Sequence, residues 1–240
     1  MEQDRRLVGV GLGPGDPELL TCKAVRLLNE ADVVLVASQP GTEPGRAELT
    51  VLAHLADASR LRRVEPGLTD SGVPQECWEC VAVAALEAFE QGARVVAFAT
   101  LGDPSVYSIF GFAAQAVREA DAQVGVEVVP GITAMQALAA ASATPLVEGT
   151  ESLTLVPATA GLATFTDALE HSDTVVAYKG GRYLAAMRGE LSLRGRLEGA
   201  VLGEDVSLDG ETITLLSDLP VGRRTDLPST VIVPAARGPR

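Results

Sequence analysis

The sequence predicts an α/β fold with two α/β domains and a ligand cleft between them. In the first half, one pattern occurs three times: an apolar, β-branched run, then a Gly/Pro turn, then a helical run. Strands that alternate with helices are typical of a mainly parallel sheet. After Ala143 short strands dominate, which predicts a mixed sheet with hairpins. The polar stretch EADAQ, residues 119–123, predicts a boundary between domains at 1–120 and 121–240.

Each predicted element rests on a local signal. Valine-rich apolar runs predict strands, and apolar residues at helical spacing predict helices, one of them closed by Gly92. The predicted strands are 31–38, 94–100, 124–129, 152–158, 174–178, 199–204, 211–216 and 229–234. The predicted helices follow Asp16, cover 79–92, follow Pro104, begin near Thr133, and cover 162–170 and 182–191. Between residues 39 and 72 the sequence predicts only one short helix, near 47–55.

The composition argues against several classes of function. The chain has 240 residues and is 47% apolar, which is typical of a globular protein. Its formal charge of −13 argues against nucleic acid or an anionic membrane as partner, because phosphate contacts need clustered lysine and arginine. No apolar run approaches the roughly 20 residues that span a bilayer, and the start, MEQDRR, is unlike a signal peptide. With three cysteines we expect no disulfide framework and a cytoplasmic location.

The first glycine-rich turn looks like a nucleotide-binding loop but fails the test for one. In VGVGLGPGDPELL, residues 8–20, the dinucleotide fingerprint G-x-G-x-x-G would need a glycine at position 14 or 16. Those positions are Pro14, which has no N–H for a phosphate, and Asp16, which would repel one. No P-loop lysine is present. The stretch is therefore either a tight strand-to-helix turn or a loop for a ligand other than a phosphate.

The tripeptide GDP occurs twice, at 15–17 and 102–104, each time between a strand and a helix. Aspartate is a preferred N-cap residue, so one interpretation of Asp16 and Asp103 is helix capping. The other is a ligand site, because ligands of open α/β sheets bind at the carboxyl ends of strands. A third turn, PGIT at 130–133, also lies at a strand end. Together the three turns predict a floor for a flat or adenosine-like ligand.

A family resemblance rests on three ordered stretches, GVGLGPGDPELLTCKAVRLLNEADVVL, TLGDPSVYS and VEVVPGITAMQALAAASATPL, and on TVVAYKGG. In this order and spacing they resemble the tetrapyrrole (corrin/porphyrin) methylase family over nearly the whole chain. The resemblance implies two α/β domains, a homodimer, and S-adenosylmethionine bound in the interdomain cleft. Within the family, GDPSVYS, EGTESLTLVPAT and VVAYKGGRYL are most similar to enzymes of cobalamin biosynthesis that methylate the C20 meso carbon of precorrin-2 or cobalt-factor II.

Other activities stay open at this point. Uroporphyrinogen-III and precorrin-4 methyltransferases share the first three motifs. From other classes, the alternatives are a non-catalytic tetrapyrrole-binding protein and an NAD-dependent oxidoreductase, which the failed glycine register disfavours. Metal-free and cobalt-loaded substrates are both compatible with the residues.

The resemblance also implies site residues, position by position. Cofactor contacts are implied for Pro14, Leu101, Gly102, Asp103, Val106, Tyr107, Thr133, Ala134, Lys179 and Ser229. Because the C20 carbon must lose a proton, Asp103 is a candidate catalytic base, with the helix cap as the structural alternative. The substrate class carries many carboxylates, and arginine pairs bidentately with carboxylate. The candidate cations are Arg46, Arg118, Lys179 and Arg182.

The C-x-x-C of CWEC, formed by Cys77 and Cys80, predicts a structural role. A zinc site would need a second ligand pair, and the remaining Cys22 and two histidines are distant in sequence. A thioredoxin-like motif follows a strand, whereas this one opens a helix. We therefore expect no metal site, with Trp78 and the cysteines packed on the helix.

Overall fold

The computed structural model describes residues 5–38, 43–65, 78–225 and 227–237. The chain divides into two compact units, Met1–Thr133 and Ala134–Arg240, and each contains a five-stranded sheet. The predicted α/β fold with two sheets is confirmed. Among the described helices, none is long and apolar enough to cross a membrane.

The first unit is built on a parallel sheet. Its strands are β1 Arg6–Gly11, β2 Val33–Ala37, β3 Leu61–Val64, β4 Val95–Thr100 and β5 Gly125–Val129. Its helices are α1 Cys22–Glu30, α2 Arg46–Leu52, α3 Trp78–Glu90 and α4 Phe110–Ala120. The strand order is β3-β2-β4-β1-β5, and every pairing is parallel. All five strands therefore end at one side of the sheet, which we call the carboxyl edge.

Helices cover both faces of this sheet. On one face Val8 and Val10 pack with Leu28 of α1. On the other face Leu7 and Phe98 pack with α3 and α4. Successive residues of a strand point to opposite faces, so a strand buried on both faces needs an unbroken apolar run. This requirement explains the apolar runs at 7–11 in β1 and 95–99 in β4.

The chain leaves the neighbouring strands β1 and β4 in opposite directions. β1 leads through α1 on one face to β2, and β4 leads through α4 on the other face to β5. Such a divergence opens a crevice outside the carboxyl ends of the two strands, where ligands of α/β sheets bind. The topology alone thus places a ligand site beside β1 and β4.

The second unit is built on a mixed sheet. Its strands are β6 Leu153–Pro157, β7 Thr174–Tyr178, β8 Val201–Glu204, β9 Thr212–Leu215 and β10 Ser229–Val233, and its helices are α5 Ala134–Ala141, α6 Leu162–His171 and α7 Leu184–Leu193. The order is β6-β7-β10-β8-β9, with β6 and β7 parallel and the other pairings antiparallel. Phe165 of α6 and Met187 of α7 pack with Val175 in its core.

The organisation differs from the sequence prediction in two places. The division falls after Thr133, later than the boundary predicted at residue 120, because β5 pairs with β1 and so belongs to the first sheet. Strand β3, LRRV, lies in a segment for which the sequence predicts no strand. It pairs with β2 at the border of the sheet, where the exposed Arg62 and Arg63 interrupt the apolar pattern.

The helices after both GDP tripeptides begin later than the sequence predicts. Asp16 caps a single 3-10 turn, Pro17–Leu19, and α1 begins at Cys22 with Thr21 as its cap. After Asp103 the chain turns for several residues before α4 begins at Phe110. These extra turns lengthen the loops at the carboxyl edge.

Gly9 provides a test of packing in the first unit. A Cβ on Gly9, in the middle of β1, would lie 2.7 Å from the Phe110 ring. We predict that Gly9→Ala lowers the free energy of unfolding by about 1–3 kcal/mol, the usual effect of overpacking. Gly111, the next residue in α4, has open space around it, so Gly111→Ala should raise that free energy by up to about 1 kcal/mol. Urea denaturation measures both variants, and equal stabilities would contradict the packing argument.

Candidate ligand site at the carboxyl edge

The turns after β1 and β4 are joined through their backbones. The Gly102 N–H donates to the Gly13 carbonyl at 2.7 Å, and the Gly13 N–H donates to the Gly102 carbonyl at 3.3 Å. Both glycines have positive φ, +71° and +70°, a region that side chains disfavour. The Leu12 N–H also donates to the Thr100 carbonyl at 2.9 Å. The two turns therefore form one continuous surface.

The turn after β5 packs on this surface without room for side chains. A Cβ on Gly131 would lie 2.2 Å from the Gly102 carbonyl oxygen, and a Cβ on Gly11 would lie 2.6 Å from the Gly131 nitrogen. Both distances are far shorter than van der Waals contact, so only glycine fits at positions 11 and 131. Gly11 at the end of β1 and Gly131 in the β5 turn thus set how closely the three backbones approach.

Asp103 ties two of these turns together. Its carboxylate is buried, and its Oδ1 accepts hydrogen bonds from the Ser105 N–H at 2.8 Å and from the Ser105 hydroxyl. Its Oδ2 accepts from the Gly131 N–H at 3.0 Å. We call Asp103, Ser105 and Gly131 the aspartate brace. The brace holds the β4 turn against the β5 turn.

The brace also determines the charge of Asp103. Burial alone would raise the pKa of this carboxyl, but the hydrogen bonds from Ser105 and Gly131 outweigh burial and lower the pKa below its ordinary value. A carboxylate with both oxygens engaged and a lowered pKa is a poor proton acceptor. The geometry therefore favours the structural interpretation of Asp103 and lends no support to its role as a catalytic base.

Apolar side chains surround the braced turns. Leu101 is 38% exposed and Tyr107 is 53% exposed, whereas Val106 is half-buried. Tyr107 has a φ of +49°, which is strained for a residue other than glycine. The Val106 N–H bonds to the Asp103 carbonyl at 3.0 Å, which anchors the strained residue to the brace. Backbone strain beside exposed apolar surface is typical of a binding site.

Pro14 and Thr133 belong to the same group of turns. Pro14 is half-buried and directly follows Gly13, and Thr133 is buried at the end of the β5 turn. The structure therefore brings to the carboxyl edge all the cofactor contacts predicted in the first unit. They are Pro14, Leu101, Gly102, Asp103, Val106, Tyr107 and Thr133.

The two arginines predicted to bind substrate in the first unit lie at different edges. Arg46 begins α2, and the Thr50 hydroxyl of the same helix donates to the Gly15 carbonyl at 2.9 Å, beside the first turn. Arg118 lies in the last turn of α4, which runs from the carboxyl edge back across the sheet. The structure therefore brings Arg46, but not Arg118, to the edge that carries the three turns.

In the second unit, Lys179 and Ser229 meet at one edge of the sheet. Lys179 follows β7 with a φ of +58°, and its N–H donates to the carbonyl of Ser229, the first residue of β10, at 2.9 Å. The buried Ser229 hydroxyl accepts from the Gly181 N–H at 2.9 Å. Arg182 follows Gly181 and is exposed. We call this part of the second sheet the Lys179 edge.

Ala134 also lies at the Lys179 edge. It is the first residue of α5, and the next N–H in that helix, from Met135, donates to the Tyr178 hydroxyl at 3.3 Å. Tyr178 ends β7, directly before Lys179. All the predicted contacts of the second unit are therefore at one edge of its sheet.

Three residues that shape the first site are absent from the predicted cofactor contacts: Gly11, Ser105 and Gly131. A glycine inside a strand indicates a close approach of another backbone, which is the signal that Gly11 offers. Ser105 stands two residues after Asp103, the spacing at which an aspartate side chain accepts a backbone hydrogen bond. Gly131 has no comparable signal, because the atom it must avoid, the Gly102 oxygen, is distant in sequence.

The described part of the cysteine motif packs against the core of the first unit. Cys80 is a free, half-buried thiol that packs with Trp78 against the core of the first unit, and Cys77 lies outside the described residues. Among the residues that the structure describes, no group of three His, Cys, Asp or Glu side chains could hold a metal ion.

The fold and the carboxyl edge together define a class of protein. Three small turns offer backbone polar groups at the ends of parallel strands, and residues 12–16, 101–109 and 130–133 include no lysine or arginine. These features define an α/β protein with a site for a small ligand that is not a polyphosphate. The chain belongs to the tetrapyrrole (corrin/porphyrin) methylases, whose family model matches residues 6–220.

Individual relatives agree with this membership. The chain is 34% identical over 221 residues to a precorrin-2 C(20)-methyltransferase of Sinorhizobium sp., covering 89% of both chains. It is 30% identical over 207 residues to a cobalt-precorrin-2 C(20)-methyltransferase of Salmonella typhimurium, covering 86% of both. The crystal structure of uroporphyrin-III C-methyl transferase from Thermus thermophilus complexed with S-adenyl homocysteine matches with a TM-score of 0.65 and 27% identity, over 95% of this chain and 97% of that one. The predicted family and enzyme class are confirmed.

Gly131→Ala tests the approach of the three turns. A Cβ 2.2 Å from the Gly102 oxygen must push the β4 and β5 turns apart. We expect the affinity for S-adenosylmethionine to fall by about tenfold or more, which is about 1.4 kcal/mol. Gly125→Ala, at the start of β5, is the matched control, because its Cβ would meet atoms no closer than 3.6 Å. Calorimetric titration measures both, and equal affinities would show that this approach does not matter for binding.

Asp103→Asn tests the brace. An amide cannot accept at both side-chain atoms, so its NH2 would face either the Ser105 donors or the Gly131 N–H. An unsatisfied buried donor costs about 1–3 kcal/mol, so we expect the free energy of unfolding to fall by that amount at neutral pH. The folded-state pKa of Asp103 is lowered, so its stabilisation is present above the unfolded-state pKa and is lost as pH falls through the folded-state pKa. The difference between wild type and variant should therefore shrink in acid.

Urea denaturation from neutral to acidic pH measures this difference. Asp167→Asn, at an exposed position on α6, is the control and should change stability little at neutral pH. A difference for Asp103→Asn that stays constant down to strongly acidic pH would show that the brace does not depend on an ionised carboxylate.

Proposed function

We propose that this protein transfers the methyl group of S-adenosylmethionine to the C20 meso carbon of precorrin-2, or of its cobalt-loaded counterpart, in cobalamin biosynthesis. The observation that carries the proposal is the likeness to relatives named as C20-methyltransferases, one of which matches 89% of both chains. A binding protein without activity would need the same turns, so the activity itself is what the experiment below must test.

The carboxyl edge fits the methyl donor. Its turns, residues 12–16, 101–109 and 130–133, offer backbone polar groups but no lysine or arginine, which suits a ligand other than a polyphosphate. S-adenosylmethionine, when bound, supplies an electrophilic methyl group on a positively charged sulfonium. We assign its contacts to Pro14, Leu101, Gly102, Asp103, Val106, Tyr107 and Thr133 in the first unit and to Ala134, Lys179 and Ser229 in the second.

The residues of the chain contribute orientation and charge. The brace fixes the turns before any ligand arrives, and alignment of two reactants can supply roughly 7–11 kcal/mol at best. Asp103 stays ionised because its pKa is lowered, and a fixed negative charge at the turn favours a cationic ligand. Leu101 and Tyr107 offer apolar surface that would exclude water from the reacting atoms.

The role of Asp103 as the base that removes the C20 proton stays a prediction. The same variant, Asp103→Asn, separates the two roles. If Asp103 acts through the brace, the variant should bind S-adenosylmethionine more weakly. If Asp103 is the base, the variant should have a lower turnover rate at saturating S-adenosylmethionine. A variant that keeps wild-type turnover at saturation would remove Asp103 as the base.

The assembly and its location are part of the proposal. On the family resemblance we propose a homodimer that acts on a tetrapyrrole, and on the composition we propose a cytoplasmic location with neither nucleic acid nor membrane as partner. The −13 charge supports the exclusion of nucleic acid. Light scattering of the purified protein would test the dimer.

One other activity has a specific observation in its favour. The Thermus thermophilus uroporphyrin-III enzyme matches nearly all of this chain at 27% identity. Its acceptor is a different tetrapyrrole, so substrate comparison decides between the two functions. An NAD-dependent oxidoreductase lacks such support, because the glycine register of the first turn is wrong for a dinucleotide.

Parallel assays test the proposal. The protein with S-adenosylmethionine is given precorrin-2, cobalt-precorrin-2 or uroporphyrinogen III, and mass spectrometry follows the gain of one methyl group. We expect methylation of one or both precorrin-2 forms, with carbon NMR placing the new methyl at C20. Methylation of uroporphyrinogen III instead, or of none of the three, would refute the assignment. Calorimetry with S-adenosylhomocysteine and NAD is the control, and only the former should bind.

A further inference from the structure

Glu204 is a buried carboxylate in the second unit that the proposed function does not use. It ends β8, and its side chain is only 6% exposed. The Thr212 hydroxyl donates to its Oε2 at 3.3 Å. A single nitrogen of Arg223, Nη2, lies 3.3 Å from Oε1 and 3.4 Å from Oε2. Burying an unpaired charge is strongly unfavourable, so the contact with Arg223 accounts for the burial of the Glu204 side chain.

Arg223 itself is not buried. Its side chain is 43% exposed, and one nitrogen serves both oxygens of Glu204. Within the described ranges of the chain, Nε and Nη1 have no hydrogen-bond or ion-pair partner. A guanidinium presents its donors in a fixed planar fork, so holding one nitrogen orients the others. Glu204 thus holds Nη2 of Arg223 and leaves the Nε and Nη1 N–H groups available to an acceptor on a bound ligand.

Backbone contacts place Arg223 at the Lys179 edge. Glu204 is the register partner of Ser229, whose carbonyl accepts from the Lys179 N–H. The Thr225 N–H, two residues after Arg223, donates to the Gly181 carbonyl at 3.2 Å, and Arg182 follows Gly181. Three cationic residues that are distant in sequence therefore converge at one edge of the second sheet.

Convergence of cations is notable because the chain carries a formal charge of −13. The protein as a whole repels an anion, so binding one requires a local positive site. Two acidic residues lie nearby: Asp205 follows Glu204, and Glu211 accepts from the Ser207 N–H at 2.7 Å. The carboxylate of Glu211 is thus engaged with its own loop.

We propose that Arg223, oriented by Glu204, binds a side-chain carboxylate of the tetrapyrrole substrate. This inference rests on the proposed function for the identity of the ligand, and it adds to the candidate cations one that the sequence does not single out. Arginine suits the task because its fork matches a carboxylate bidentately. Glu204 is a positioning residue in this arrangement, because it acts through Arg223.

The experiment separates a binding role of Arg223 from mere neutralisation of Glu204. Four variants of the full chain are compared: Arg223→Ala, Arg223→Lys, the double variant Glu204→Gln with Arg223→Gln, and Arg194→Ala. Arg194 is the control, since it also pairs with glutamates of the same unit, Glu190 and Glu170, but follows the far end of α7. The readouts are thermal stability and calorimetric affinity for S-adenosylmethionine and for uroporphyrin III, a stable tetrapyrrole rich in carboxylates.

We expect Arg223→Ala to weaken uroporphyrin III binding by about 10- to 100-fold, the usual range for a hydrogen bond to a charged group. Its affinity for S-adenosylmethionine should be unchanged. Arg223→Lys should recover part of the affinity, since it keeps the charge but loses the fork. The double variant removes the buried charge together with its partner, so it should regain stability and still bind uroporphyrin III weakly. Arg194→Ala should bind as the wild type does.

Recovery of both stability and affinity in the double variant would overturn the proposal, because Arg223 would then serve Glu204 alone. Wild-type affinity in Arg223→Ala, or no binding of uroporphyrin III by the wild-type protein, would overturn it as well. The methylation assay with precorrin-2 is independent of these readouts. Absent methylation with weakened binding in Arg223→Ala would reject the proposed function and keep the carboxylate site.

Discussion

The carboxyl edge of the first sheet depends on one constraint, the absence of a Cβ at Gly11 and Gly131. Because these residues have no side chain, the turn after β5 can approach the Gly102 carbonyl closely. Only at that distance does the Gly131 N–H reach the carboxylate of Asp103, at 3.0 Å. The Gly131 bond of the brace follows from this approach, whereas the bonds from Ser105 and Val106 to Asp103 lie within the β4 turn. Hydrogen bonds here complete an arrangement that sterics makes possible.

Two of the buried carboxylates, Asp103 and Glu204, are stabilised in different ways, with opposite consequences. Asp103 is satisfied by N–H and hydroxyl donors, and no cation contributes to its lowered pKa, so its negative charge is not cancelled locally. Glu204 is paired with the guanidinium of Arg223, which keeps further donors directed away from it. The first arrangement favours a cationic ligand and the second an anionic one. Under the proposed function these are the sulfonium donor and the carboxylate-rich acceptor.

The sequence predicts the strands well where burial on both faces imposes an unbroken apolar run, as in β1, β4 and β7. It fails for β3, because a strand at the border of a sheet can expose Arg62 and Arg63 without loss. The domain boundary is displaced because polarity at 119–123 marks the end of a helix, whereas the pairing of β5 with β1 is a long-range property. The helices after the GDP tripeptides begin late because each aspartate side chain accepts a hydrogen bond within a short turn that precedes the helix.

The candidate site, like the strands and helices, is predictable from the sequence where the signal is local. Turn residues and their position at strand ends identify the carboxyl edge, since topology and local turn chemistry are both present in the sequence. The Asp103–Ser105 part of the brace follows a local spacing, but its contact with Gly131 and the Glu204–Arg223 pair are not predictable, because 28 and 19 positions separate the partners. Arg118 shows the converse: its type suits a carboxylate, but a helix of α4's length carries it away from the edge.

The three close-packed turns have an evolutionary consequence. The atoms that meet at Gly11, Gly102 and Gly131 belong to the backbone, so substitution cannot give them new chemistry, and any side chain at positions 11 or 131 would collide with a neighbouring turn. Selection can therefore remodel this surface very little. A family built on this surface would keep one methyl donor. Its substrate preference would diversify through positions such as Arg223, where a side chain that can be exchanged makes the contact.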